Sequence, residues 1–296
     1  MGAGYGVAPL GYRLPAETRL GRVRLQVADL ARSVGYYERV LGLRVITRGP
    51  ATAELGTVDG RDVLVELDEF PGATPVPHHG RLGLYHFAIL LPSRAALGAL
   101  LSHFGAIGVR AGMSDHLVSE AVYLTDPDGL GIEVYADRPR SEWRNDGRQL
   151  VMATEPLDVA SVVAAANGAP WAGMPAGTRI GHVHLHVADI AAGEKFYHAG
   201  LGFDKVVWSY PGALFLSAGG YHHHLGTNTW ARQAAPSTSR DARLLDWEVV
   251  LPSASDVTAA AASLAAQGAE IGWAAGEATV RDPWGTALRL TSVTER

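Results

Sequence analysis

The 296-residue chain carries a net charge of −5, so it lacks the basic field that a nucleic acid or an anionic membrane surface would require. It contains no cysteine, which removes disulfides, thiolate catalysis, zinc fingers and iron–sulfur ligation and leaves histidine and the carboxylates as metal ligands. The length suits two domains with a core each. No stretch reaches the roughly 18 apolar residues of a membrane span, and a cytoplasmic protein is expected.

In chain order, Gly21–Val27 alternates as a strand. Asp29 follows as a helix N-cap, an amphipathic helix runs on from it, and Gly42 stands where that helix should stop. Strands are predicted over 43–48, 53–58 and 62–67. A second unit opens at Tyr85-His86, runs through an alanine-rich helix to the Gly105-Ala106 turn, and closes with the Asp126-Pro-Asp-Gly129 turn and a final strand. Residues 138–177, rich in Pro, Ala and Gly, form a linker. The third unit repeats the first: residues 181–202 align on 21–42 without gaps at an offset of 160, with ten of 22 positions identical. Its strands are predicted over 205–210, 214–218 and 221–226. The fourth unit opens at Asp246-Trp247 and ends with Asp282-Pro-Trp-Gly285 and a last strand.

The chain is therefore predicted to be α+β, four tandem βαβββ modules over 18–74, 81–137, 178–230 and 243–292. They group as an N-terminal pair (18–137) and a C-terminal pair (178–292). A four-stranded sheet with one helix covers only one of its faces. Modules must pair into U-shaped barrel sheets with helices outside, leaving a concave face between them.

Six of the twelve histidines fall in two short runs. On a strand, His182, His184 and His186 share one face and Val183, Leu185 and Val187 the other. Three imidazoles on one sheet face point to a metal pocket. If residues 221–226 are also a strand, His222 and His224 share a face and His223 points the other way. His78, His79, His103 and His198 are read as surface or loop residues.

The modules and motifs resemble the vicinal-oxygen-chelate superfamily, which includes glyoxalase I, bleomycin-resistance proteins and the type I extradiol ring-cleavage dioxygenases. The resemblance covers about 18–137 and 178–292. The segment from Ser114-Asp-His116 through Val122-Tyr123 and Asp126-Pro-Asp-Gly129 to Glu133 is similar to the extradiol dioxygenase signature, departing from it only at Ser114. Gly83–Pro92, Tyr135–Trp143 and Ser217–Gly226 resemble the shorter, Bacillus-type catechol 2,3-dioxygenase branch.

In that superfamily the metal ligands come from a module's first and last strands. The matching positions here are Arg22, then His86 and Glu133, then His182, then Asp246 and Arg289. A guanidinium has no lone pair to donate, so pairing modules one with two, or three with four, leaves a spoiled corner. Pairing two with three gives His86, Glu133 and His182, the two-histidine, one-carboxylate set that suits non-haem iron. Such pairing could occur within one chain or across a dimer.

The resemblance further implies Fe(II), with Mn(II) as the alternative metal, and a catechol and O2 as substrates cleaved to a muconic semialdehyde. It makes Tyr123 a hydrogen-bond donor to a substrate oxygen and puts His116 near the catechol or its leaving hydroxyl. The acid-base histidine falls within 222–224, with His224 favoured and His222 next. His184, His186, Tyr221, Trp230 and Asn228 are expected to line the pocket. A glyoxalase-type metal-dependent isomerase or lyase and a metal-free binding protein of the bleomycin-resistance kind are the alternatives. A homo-oligomer with no nucleic-acid or membrane partner is expected.

Overall fold

A computed structural model describes residues 4–293. Sixteen strands follow the modular order. The first module is β1 (Arg19–Val27), α1 (Leu30–Leu41), β2 (Arg44–Arg48), β3 (Thr52–Gly56) and β4 (Val63–Glu69). The second is β5 (Gly83–Leu90), α2 (Arg94–Ile107), β6 (Gly112–Asp115), β7 (Ser119–Thr125) and β8 (Gly131–Asp137). A short helix, α3 (Val159–Ala165), lies between the halves and packs on α2. The third module is β9 (Arg179–His186), α4 (Ile190–Gly193) continuing as a π-helical segment (Glu194–Gly200), β10 (Asp204–Val207), β11 (Ala213–Ser217) and β12 (Leu225–Asn228). The fourth is β13 (Arg243–Leu251), α5 (Ala254–Ala266), β14 (Gly272–Ala274), β15 (Glu277–Arg281) and β16 (Ala287–Ser292).

The capping chemistry behaves as its residue types dictate. The Asp29 side chain accepts from the Arg32 N–H at the start of α1, and Gly42 ends that helix at φ 69°, in the left-handed region that a side chain disfavours. Leu30, Val34, Tyr37, Val40 and Leu41 form its buried stripe.

Two eight-stranded sheets result, in the orders β14-β15-β16-β13-β1-β4-β3-β2 and β10-β11-β12-β9-β5-β8-β7-β6. Modules one and four share the first, and modules two and three share the second. Within one chain, then, the outer modules pair and the inner modules pair. Each sheet is joined at its centre by antiparallel first strands, β1 with β13 and β5 with β9. In every module the last strand lies parallel to the first.

The convex faces bury the apolar half of each alternation. Val23, Leu25 and Val27 of β1, Phe87 and Ile89 of β5, Val183 and Leu185 of β9, and Trp247 and Val249 of β13 belong to one continuous core with the helices. The sequential halves hold together differently. The Tyr37 hydroxyl of module one donates to Asp126 Oδ2 in the closing turn of module two at 3.3 Å, and Tyr197 donates to Asp282 Oδ2 at 2.9 Å in the other half. Sheets join modules across the halves, whereas these buried catches join modules within them.

Candidate active site

The concave face of the inner sheet carries the chemistry. Alternation along β8 turns Glu133, Tyr135 and Asp137 to one face. The register places Ala88 of β5 between His182 of β9 and Glu133 of β8, with His86 two residues before it on the same side. Ala88 is fully buried, and its small side chain leaves room in front of it. The donor atoms of His86, Glu133 and His182 lie within 4.8 Å of one another. Glu133 Oε2 is 3.1 Å from Nε2 of each histidine.

Electrostatics prepare these groups as ligands. Burial alone would raise the Glu133 carboxyl, but the imidazoles of His182 and His86 outweigh it and hold the group well below the usual carboxylate range. Burial pushes His182 down to about 4, against the pull of Glu133, so its ring is neutral near pH 7 and keeps a lone pair. His86 Nε2 is buried and, although 3.1 Å from Glu133 Oε2, is not oriented to hydrogen-bond it. A buried nitrogen without a partner costs free energy unless something binds it. Two nitrogens and one carboxylate oxygen at this spacing fit a divalent transition metal.

A cavity of about 370 Å³ opens in front of the three residues, lined also by Tyr85, His116, Tyr123, His184, His223, Trp230 and others. His116 Nδ1 is 2.7 Å from the Ala153 carbonyl, so it must donate there, and Nε2, 2.5 Å from the Tyr123 oxygen, must accept from the phenol. In that tautomer the Tyr123 O–H points at His116 rather than into the cavity. His184 also lines the cavity. Asn228 donates to His184 Nε2 at 3.0 Å and accepts from His186 Nδ1 at 2.7 Å. Asn228 is thus a fully buried clamp that orients two rings. Gly226 makes room for one of them, since a Cβ there would lie 2.8 Å from the His184 ring.

The structure corrects several sequence expectations. Residues 221–224 are not strand; β12 begins at Leu225, after a turn in which Gly219 and Gly220 both have positive φ. Alternation therefore does not apply to the histidine run. His223 lines the cavity, with its ring centroid 4.0 Å from that of His182. His224, favoured from sequence, lies outside the cavity, where its Nδ1 accepts from the Ala218 N–H and its ring stacks on Phe203. His222 is fully buried between Asp137 and His223. Tyr221 lines the same separate cleft as His224. His186 lines an adjoining groove with Tyr85, His86 and Trp230 rather than the cavity itself. His198 is buried, its Nδ1–H donating to the Phe203 carbonyl at 2.6 Å.

Sequence reasoning missed other parts of the wall. Met152, Ala153 and Thr154 come from the segment expected to be a plain linker, held across the site by a bridge between Asp115 and Glu155. No local pattern marks them. Tyr210 and Phe215 of module three complete the apolar side. Tyr85, adjacent to His86 in sequence, could have been found from that adjacency; its ring lies against His86, His184, His186 and Trp230.

Comparison with known proteins agrees with this architecture. The family model described as "Glyoxalase/Bleomycin resistance protein/Dioxygenase superfamily" matches residues 19–134 and 179–290. A protein of Bacillus subtilis (strain 168) named catechol-2,3-dioxygenase is 46% identical over 240 residues, covering 80% of this chain and 84% of its own. Among solved structures, a candidate dioxygenase from Bacillus subtilis subsp. subtilis str. 168 superposes with a TM-score of 0.65 at 12% identity, over 95% of this chain and 86% of that one. Glyoxalase I from Zea mays gives 0.54 at 17% identity, over 93% and 92%. These last two likenesses speak to the fold. With a family model spanning both halves and a relative of nearly half-identical sequence over most of its length, the chain belongs to the glyoxalase/bleomycin resistance protein/dioxygenase superfamily.

Proposed function

We propose that this protein is an extradiol ring-cleavage dioxygenase that opens catechol, or a catechol with an uncharged substituent, next to the diol with O2 to give a muconic semialdehyde. The observation that carries the reading is the convergence of His86, Glu133 and His182 at the floor of a cavity, in a chain 46% identical to a protein named catechol-2,3-dioxygenase. His86, Glu133 and His182 would hold the metal, Fe(II) in this reading with Mn(II) as the alternative. When bound, that metal supplies chelation of the two catechol oxygens and a redox path between ring and dioxygen.

The chain's own residues then bind, orient and move protons. Phe215, Tyr210, Met152 and Trp230 bound the space for the ring. No lysine or arginine lines this cavity among the described residues, so a carboxylate substituent would be desolvated without a partner. Catechols with neutral substituents fit better. In this reading His223, whose ring lines the cavity, carries a proton to and from substrate oxygen. Tyr123 and His116 act as a pair: substrate oxygen competes with His116 for the Tyr123 O–H, and the ring of His116 stays anchored on the Ala153 carbonyl. A glyoxalase-type site commonly uses four protein ligands, whereas three donors converge here among the described residues.

Within the same reading the chain is organised as halves 18–137 and 178–292 joined by 138–177, each half giving one module to each barrel. A cytoplasmic homo-oligomer is the form proposed. No helix among the described residues is long and apolar enough to cross a membrane.

The test is anaerobic loading with Fe(II), followed by catechol and oxygen, with oxygen uptake and a yellow ring-fission product as readouts. Uptake across a panel of neutral catechols, and weaker uptake with carboxylated ones, is expected. No uptake by iron-loaded protein on any catechol would overturn the reading, and equal uptake on carboxylated catechols would overturn the substituent preference.

A further inference from the structure

Beside the cavity wall, two side chains that the reaction does not touch, Asp137 and His222, form a hydrogen-bonded line ending on His223. Asp137, on the same face of β8 as Glu133, has its Oδ1 2.9 Å from His222 Nε2. His222 Nδ1 is 2.7 Å from His223 Nδ1. The Tyr221 hydroxyl also donates to Asp137 Oδ1, at 3.1 Å, and lies 2.7 Å from the Tyr135 hydroxyl. Tyr135 reaches that position by crossing Gly181, where a Cβ would come within 1.8 Å of the tyrosine oxygen.

The direction of each bond follows by elimination. A carboxylate only accepts, so His222 Nε2 carries the hydrogen given to Asp137. With one hydrogen per imidazole ring, His222 then has a bare Nδ1. Two nitrogens 2.7 Å apart cannot both be bare or both be protonated, so the hydrogen between the rings belongs to His223 Nδ1. That leaves His223 Nε2 with a lone pair and no hydrogen-bond partner among the described residues, on a ring that lines the cavity.

We infer that Asp137 and His222 are positioning residues that fix which nitrogen of His223 carries the proton, so that the ring meets the substrate through a basic Nε2. The inference rests on the ring-cleavage reading for its catalytic consequence and on geometry alone for the proton's place. Reversing the carboxylate's polarity should reverse the line. In Asp137→Asn the amide N–H2 can donate to His222 Nε2, which moves the His222 hydrogen to Nδ1 and the His223 hydrogen to Nε2.

The experiment is long-range 1H–15N NMR of the full-length chain labelled with 15N-histidine, with the His223 signals assigned by their loss in His223→Asn, together with steady-state kinetics of the Fe(II)-loaded protein. The wild-type ring is expected in the Nδ1–H form and the Asp137→Asn ring in the Nε2–H form. In Asp137→Asn, kcat should fall roughly 10–100-fold, as is typical when a partner that orients a site residue is lost, with KM for catechol within about twofold. Asp137→Glu, which keeps an acceptor-only group, should retain the Nδ1–H form. An Nε2–H ring in the wild type, or an unswitched ring in Asp137→Asn, overturns the inference. So does a switched ring with unchanged kcat. If Asp137→Asn does not fold, the wild-type spectrum alone decides. If the wild-type protein cleaves no catechol, the ring-cleavage reading fails while the NMR arm still tests the proton's place.

Discussion

The two barrels share one topology, yet their concave faces solve the same physical problem in opposite ways. In the inner barrel, His86, Glu133 and His182 leave lone pairs converging on a point with no protein cation there. In the outer barrel the position equivalent to His182 is Arg22, that of His86 is Asp246 and that of Glu133 is Arg289. Arg22 pairs with Glu66 at 2.7 Å and with Glu248, Arg24 pairs with Asp68, and Arg289 pairs with Glu277. Guanidinium groups occupy the ground a metal would take, and the carboxylates are spent on them. A polar concave face must be satisfied: one barrel does it with its own cations, the other leaves the task to an ion and a substrate.

This contrast can be broken first at the metal-binding set. His86→Ala or Glu133→Gln should abolish stoichiometric metal, read by elemental analysis, and should lower turnover by more than the roughly 10–100-fold typical of outer partners. Arg22→His in the outer barrel should gain no metal, because Arg289 still stands at the third corner. Retained metal in His86→Ala would remove the basis for distinguishing the barrels.

The catches between sequential modules offer the next test. Asp126 is raised to about 7, chiefly by burial. With the folded-state value above the unfolded one, the protonated carboxyl favours the native state. That contribution is full below about pH 4 and lost as the pH rises through 7. Asp126→Asn keeps the shape without the titration. The stability of wild type relative to this variant should therefore fall by up to about 3 kcal/mol between pH 4 and 7, measured by urea unfolding. A pH-independent difference would refute the assignment.

Smaller effects separate scaffold from chemistry. Glu248→Gln removes a carboxylate that sits between Arg22 and Arg289 and should cost about 1–3 kcal/mol of stability, while kcat stays near wild type. A matching loss of kcat would mean that the outer barrel contributes to catalysis. Trp230, half-exposed beside the cavity, should matter least: Trp230→Ala is expected to raise KM for catechol by about 2–10-fold, the worth of one aromatic contact, with kcat unchanged.

Much of this was legible in the chain itself. Alternation and capping marked the modules, and the gapless repeat tied Arg22 to His182. The inability of arginine to ligate selected modules two and three as partners, and the sheet order joins those two modules within one chain. Residue type decides such matters locally, because lone pairs, caps and side-chain alternation belong to one residue and its immediate neighbours. The histidine run resisted because its conformation is not local: a paired-glycine turn delays β12 to Leu225, so His223 enters the cavity and His222 and His224 do not. The wall built from Met152 to Thr154, the anchor at the Ala153 carbonyl and the Asp137–His222–His223 line likewise join segments dozens of residues apart. Sequence determined which atoms can donate or accept. Only the packing of distant segments decided which of those atoms meet, since that depends on backbone paths and close approaches that no short window of residues encodes.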